Sequence, residues 1–190
     1  GDAPAAAPPA LATRLRMELE LLFDREPWPE ALLALQSWGA LSLLDPALQA
    51  DLRLVRRLLQ AQRLQLPLLP ALLAGADQPL ELAARLQLPQ QQQRWLQQMQ
   101  ELSAWLQANT GEDAWTGWTA EEWCDALEQQ AWGAEAVALL VSQNPPQRRP
   151  LLHWWGRWRH YTSPLTAGDL LAQGWQPGPE LGAELQRLRR

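Results

Sequence analysis

Lysine and isoleucine do not occur in this chain of 190 residues, so all sixteen positive charges are arginine. Both missing residues have A/T-rich codons, and their joint absence fits a G+C-rich coding sequence without bearing on function. A single cysteine, Cys124, excludes an intrachain disulfide and is compatible with a reducing compartment. It follows Thr119-Ala120-Glu121-Glu122, a capping-box helix start, and reads as a buried structural thiol. A nucleophilic role would need a histidine partner, and only His153 and His160 are available. Those two share a helix face but have no third ligand nearby, which argues against a metal site. No apolar run approaches the roughly 18 residues that cross a membrane, and the leucine-rich stretch 64–76 is broken by Pro67 and Pro70. The Ala/Pro-rich start lacks a basic n-region, so no targeting signal is read and a cytoplasmic setting is expected.

One tyrosine and one phenylalanine stand against twelve tryptophans, so tryptophan must fill core positions that other chains give to Phe, Tyr or Ile. The net charge of −5 hides an asymmetry. Residues 1–135 hold nine arginines and eighteen acids, a balance of −9, whereas residues 136–190 hold seven arginines and three acids, a balance of +4. No acid lies between Glu135 and Asp169, yet Arg148, Arg149, Arg157 and Arg159 all do. A basic segment on an acidic body can face a phosphate backbone.

Periodicity is helical throughout. Residues 1–9 read as a disordered lead-in. Helices are expected over 10–24, 29–39, 46–64, 79–88, 90–108, 119–130, 134–143 and 150–161, followed by a closing pair, which makes an all-α, irregular array of about ten helices with no sheet. The first should bury Leu11, Leu15, Leu19, Leu22 and Phe23. The third should bury Leu48, Leu52, Val55, Leu58 and Leu59, with Arg53, Arg56, Arg57 and Arg63 opposite as a phosphate-facing stripe. The segment 66–76 reads as proline-punctuated, and a loop at 109–117 suggests a division into 10–110 and 111–190. In His153-Trp154-Trp155-Gly156-Arg157-Trp158-Arg159-His160, Trp155 and Trp158 fit a buried stripe, while Arg157 and Arg159 flank it and can reach RNA.

The last stretch reads as two short helices around a fixed turn. Thr166 can cap a helix with Asp169 three residues on, and Gly174 suits the left-handed residue that ends it. Pro177-Gly178-Pro179 then sets the entry of a final helix, with Pro179 at its first position and Leu181, Leu185 and Leu188 behind. This pattern, Leu165-Thr166-Ala167-Gly168-Asp169-Leu170 and then Gly174 with Pro177-Gly178-Pro179, resembles the C-terminal end of class II tRNA nucleotidyltransferases, the CCA-adding enzymes and their poly(A) polymerase relatives. In them Leu-Thr-Gly-x-Asp-Leu precedes Gly-x-x-Pro-Gly-Pro. The run Arg14 to Leu19, with Ala31-Leu32-Leu33-Ala34-Leu35 and Gly39-Ala40-Leu41, is similar to the helix that closes the family's neck. Arg14 and Glu18 match a pair there, and Thr13 replaces the family's preceding glutamate.

The resemblance implies an array of neck-end, body and tail helices whose tail (111–190) grips tRNA or the RNA 3′ region by shape and phosphate. Contacts are expected at Arg148, Arg149, Arg157 and Arg159, at Arg187, Arg189 and Arg190, and at Arg53, Arg56 and Arg57. Arg14, Glu18, Thr166, Asp169, Gly174, Pro177, Gly178 and Pro179 would serve structure. The family's Gly-Ser loop and Asp-x-Asp strand, which hold nucleotide and metals, occur nowhere in the chain. These residues are therefore expected to be non-catalytic and to bind no cofactor. The resemblance supplies a catalytic head, using Mg and CTP or ATP, as a partner in the same longer chain, and the opening glycine fits a segment of such a protein. A protein-interaction scaffold or homodimerisation module is the alternative.

Overall fold

The computed structural model describes residues 9–25, 27–110, 117–160, 172–174, 176 and 178–188, and among them every regular element is a helix. In order these are α1 (Pro9–Asp24), α2 (Trp28–Ser37), a 3-10 turn (Ala40–Leu43), α3 (Pro46–Ala50), α4 (Leu54–Arg63), α5 (Leu68–Leu73) and α6 (Pro79–Arg85). There follow α7 (Gln90–Thr110), α8 (Ala120–Gln129), α9 (Ala134–Ser142), α10 (Arg148–Gly156), a second 3-10 turn (Trp158–His160) and α11 (Pro179–Leu188). The expected all-α class is the one observed.

Local chemistry explains most boundaries. Thr119 and Glu122 close a complete capping box, the Thr119 N–H donating to Glu122 Oε2 at 2.7 Å and the Glu122 N–H to Thr119 Oγ1 at 3.2 Å. Proline occupies the first turn of α2, α3 and α6, where its missing N–H costs nothing. Gly39, at φ +77°, turns the chain after α2.

The expected helix over 46–64 is two helices. Asp51 adopts an extended backbone (ψ 103°) that ends α3, and its carboxylate starts α4 by accepting the Arg53 N–H at 2.8 Å and Arg57 Nε at 2.7 Å. The break resets the register. Leu54, Arg57, Leu58 and Ala61 turn inward, while Leu52 is 99% exposed and Leu59 also leaves the core. The segment 66–76, read as punctuated by proline, contains the buried helix α5. Pro67 precedes it and Pro70 falls in its first turn, where backbone N–H groups have no intrahelical partner, so neither breaks it.

On α1, Ala12 and Leu19 are buried but Leu11 and Leu15 are exposed. Its ion pair joins Arg16 to Glu20 at 3.8 Å; Arg14 and Glu18 lie exposed on its surface.

The core runs without interruption from Leu19 of α1 to Trp154 of α10, and it crosses residue 110: Leu96, Leu102 and Leu106 of α7 share it with Leu127 of α8 and Val137 and Leu139 of α9. α9 is buried on all sides from Ala136 to Ser142, with α7, α10 and α4 packed around it. Tryptophans close one end, where Trp105 meets Trp118 and Trp132 edge-on at 5.9 and 5.3 Å, and Trp118 lies 4.7 Å from the buried Trp123. Such pairs add about 0.5–1.5 kcal/mol each beyond their buried area. Cys124 is buried beside Trp123.

Two buried polar side chains fix the parts that matter for the site. Asp45 accepts the Ala47 N–H at 2.8 Å, capping α3, and its Oδ2 accepts the Asp77 N–H at 3.1 Å, tying down the turn between α5 and α6. Gln147, at the N-cap of α10, donates to Thr110 Oγ1 at 3.0 Å and so fixes that helix start to the end of α7.

Candidate nucleic-acid interface

Where α4 packs beside the end of α9, a cleft of about 690 Å³ opens. One wall is the α4 face carrying Arg53, Arg56, Arg57, Gln60 and Arg63; the other is the α9–α10 connection, with Ser142, Gln143, Asn144 and Arg148. Positions 53, 56, 60 and 63 recur at helical spacing, so the cleft side of α4 presents Arg53, Arg56 and Arg63, with Arg57 at its inner edge. Arg148 joins them because Gln147 holds the start of α10 in place. Five arginines thus meet one carboxylate, Asp51.

These arginines are not equivalent. Arg53, Arg56 and Arg63 are exposed, and Arg148 is half-buried. Arg57, expected on the solvent side of its helix, is only 8% exposed. Burying a guanidinium demands partners. Asp51 Oδ2 takes Nε at 2.7 Å and the Ala71 carbonyl accepts from Nη1 at 3.3 Å. Nη2 is buried with no hydrogen-bond partner and lies against Gly75, where a Cβ would come within 2.2 Å of it. Gly75 is therefore needed for space, at a backbone angle any residue adopts.

No protein-family model, curated protein or solved structure matches the chain. What the cleft can do follows from its chemistry alone. Guanidinium groups hold phosphate or carboxylate oxygens through charge-assisted, often bidentate, hydrogen bonds. Gln60, Gln143 and Asn144 add carboxamide donors, and the single carboxylate is engaged by Arg57 and by the Arg53 N–H.

Among the described residues, the remaining arginines expected to meet RNA are not part of this cleft's lining. Arg149 is exposed in the first turn of α10 and Arg157 is exposed at its C-cap. Arg159 folds back over Trp155, its guanidinium 5.1 Å from the ring centroid and its Nε bonded to the Trp155 carbonyl. Trp154 is the α10 tryptophan in the core; Trp155 and Trp158, expected there, are half-buried at its edge, with Trp158 stacked on His153 at 5.6 Å. α10 ends at Gly156, short of the expected 161, and Trp158 falls in the 3-10 turn beyond it.

In α11, Arg187 pairs with Glu184, and hydrogen bonding to that guanidinium holds the Glu184 carboxyl below the usual carboxylate range while raising Arg187. Pro179 opens α11, and Gly174 and Gly178 have φ of +97° and +151°. Thr166, Asp169, Pro177, Arg189 and Arg190 lie outside the described residues. Asp51, Gly75, Gln143 and Asn144 were missed by sequence reasoning. Arg57 did carry a signal: with Leu54, Leu58 and Ala61 it completes an i, i+3, i+4, i+7 stripe, which places it on the inward face.

Proposed function

We propose that the chain is a non-catalytic RNA-binding part of a class II tRNA nucleotidyltransferase or poly(A) polymerase, gripping RNA by shape and phosphate while a head elsewhere in the protein adds 3′ nucleotides. The convergence of Arg53, Arg56, Arg57 and Arg63 with Arg148 in one cleft carries this reading. On a chain of net charge −5, such a concentration offers a phosphate backbone a local site that the average charge conceals. The closing Gly174 and Pro177-Gly178-Pro179 pattern supports the family half of the proposal.

Gel-shift titration with tRNA at rising salt tests it. Binding at low salt should weaken steadily, and Arg56→Ala with Arg148→Ala should reduce the slope of log affinity against log salt by about 0.7–0.9 for each phosphate no longer neutralised. Absence of binding at low salt refutes the RNA half. An interaction scaffold is favoured by a different observation: Leu11, Leu15, Met17 and Leu21 of α1 and Leu33 of α2 are exposed, and Leu15, Leu21, Ala31 and Leu35 line a groove rimmed by Glu18 and Arg25. A concentration-dependent rise in mass on size-exclusion chromatography, lost on replacing Leu15 and Leu21 by Gln, would support that reading.

A further inference from the structure

We infer that the arginine cleft is a built seat for a phosphate group carrying more than one charge, a phosphomonoester or diphosphate, and that Arg57 is its fixed donor. The inference rests on reading the cleft as phosphate-facing and specifies which phosphate it takes.

A surface that merely attracts RNA needs only exposed, solvated cations, and Arg53, Arg56 and Arg63 answer to that. Arg57 does not. Its side chain has been withdrawn from water and oriented by three separate elements: the Asp51 carboxylate between α3 and α4, the Ala71 carbonyl of α5, and the bare backbone of Gly75. The outcome is a buried donor, Nη2, with nothing to bond. Leaving a buried charged donor unmatched is costly, and such a group in a native structure calls for a completing partner such as a water or an ion. Arg57 lines the cleft together with exposed cations of the same helix and Arg148 of the facing wall, with Gln143 and Asn144 as neutral donors.

Shape and charge narrow the occupant. The cleft's roughly 690 Å³ falls in the range of small-ligand pockets. A phosphodiester inside an A-form duplex shares a single charge and sits on a convex surface. A terminal phosphate or a diphosphate projects from its carrier and has more oxygens and more charge to offer five guanidinium groups. The carrier can be the end of an RNA strand or a free nucleotide, and both bring the same chemistry.

The test uses the full chain in low-salt buffer. Calorimetric titration with inorganic pyrophosphate should give saturable binding of one per chain. Arg56→Ala with Arg148→Ala, both on the cleft wall and away from the core, should weaken it about tenfold or more. Gly75→Ala keeps every charge but displaces Arg57, and should weaken it comparably; circular dichroism checks the fold of each variant. Two further arms identify the carrier. Phosphatase-treated tRNA binding several-fold more weakly than untreated tRNA points to an RNA end, whereas unchanged tRNA binding with saturable ATP binding points to a free nucleotide.

If pyrophosphate does not bind while tRNA does, the seat is refuted and the RNA reading stands. If pyrophosphate binds and tRNA does not, the RNA reading falls and the seat stands. Wild-type pyrophosphate affinity in a folded Gly75→Ala protein overturns the assignment of Arg57.

Discussion

Asp45 offers the sharpest test of how the cleft is held together. Its carboxylate is 5% exposed and accepts from two places far apart in the chain: the Ala47 N–H at 2.8 Å, which starts α3, and the Asp77 N–H at 3.1 Å, which anchors the turn just after Gly75. Asp45→Ala removes both. Loss of the cap alone costs about 0.5–2 kcal/mol. A hydrogen bond to a charged acceptor contributes about 1.5–3 kcal/mol, and the abandoned Asp77 N–H adds to the loss where water cannot reach it. Together these predict destabilisation of about 2–5 kcal/mol, read as a lowered urea midpoint at unchanged m-value. For a chain of this size each kcal/mol moves Tm by about 2–4 °C, so a fall of roughly 4–20 °C is expected. Asp45→Asn keeps one acceptor oxygen and should lose less. Because the anchored turn carries Gly75 against Arg57, Asp45→Ala should also weaken tRNA binding although it removes an acid, opposite to what net charge alone predicts. A loss of stability under about 0.5 kcal/mol, the size of an ordinary surface substitution, would refute the bonding scheme.

Three further outcomes follow from the same structure. Leu52→Gln should change stability by less than about 0.5 kcal/mol in urea titration, because the side chain is 99% exposed; a core-sized loss would restore an unbroken helix over 46–64. Thr119→Ala should cost about 0.5–2 kcal/mol by removing the capping box of α8, measurable in the same titration. Glu184 ionises more readily in the folded chain than in the unfolded one, so its pair with Arg187 favours folding above the usual carboxylate range, and that contribution is lost as pH falls through the lowered value. The pair is exposed, so the effect on stability is small. Its effect on RNA should be clearer: Glu184→Gln releases Arg187 and should tighten tRNA binding at neutral pH, and unchanged affinity would exclude Arg187 from the RNA-binding surface.

Legibility in the sequence tracked how local each cause was. The capping box at Thr119 and Glu122 needs only neighbours within one helical turn, so it could be read directly. The break at Asp51 could not: Arg57 lies six residues on, and holding that pair in place depends on α5 packing behind it through Ala71. A helix pattern counted from 46 to 64 therefore put Leu52 in the core. The cleft was half legible. The α4 arginines were visible as a stripe and Arg148 as part of an acid-free segment, but α9 brings the two together, and that meeting is a matter of tertiary packing. Gly75 gave no signal, since its role is to make room for a side chain eighteen positions earlier.

The all-arginine lining of the cleft sets what can regulate it. Acetylation, which turns many basic surfaces off by neutralising lysine, has no lysine to act on here. Methylation of arginine blocks hydrogen bonds but keeps the charge, and Arg57 is too enclosed to be its first target. Control of such a site passes to its surroundings: ionic strength, competing small anions, and whatever else covers the opening between α4 and α10.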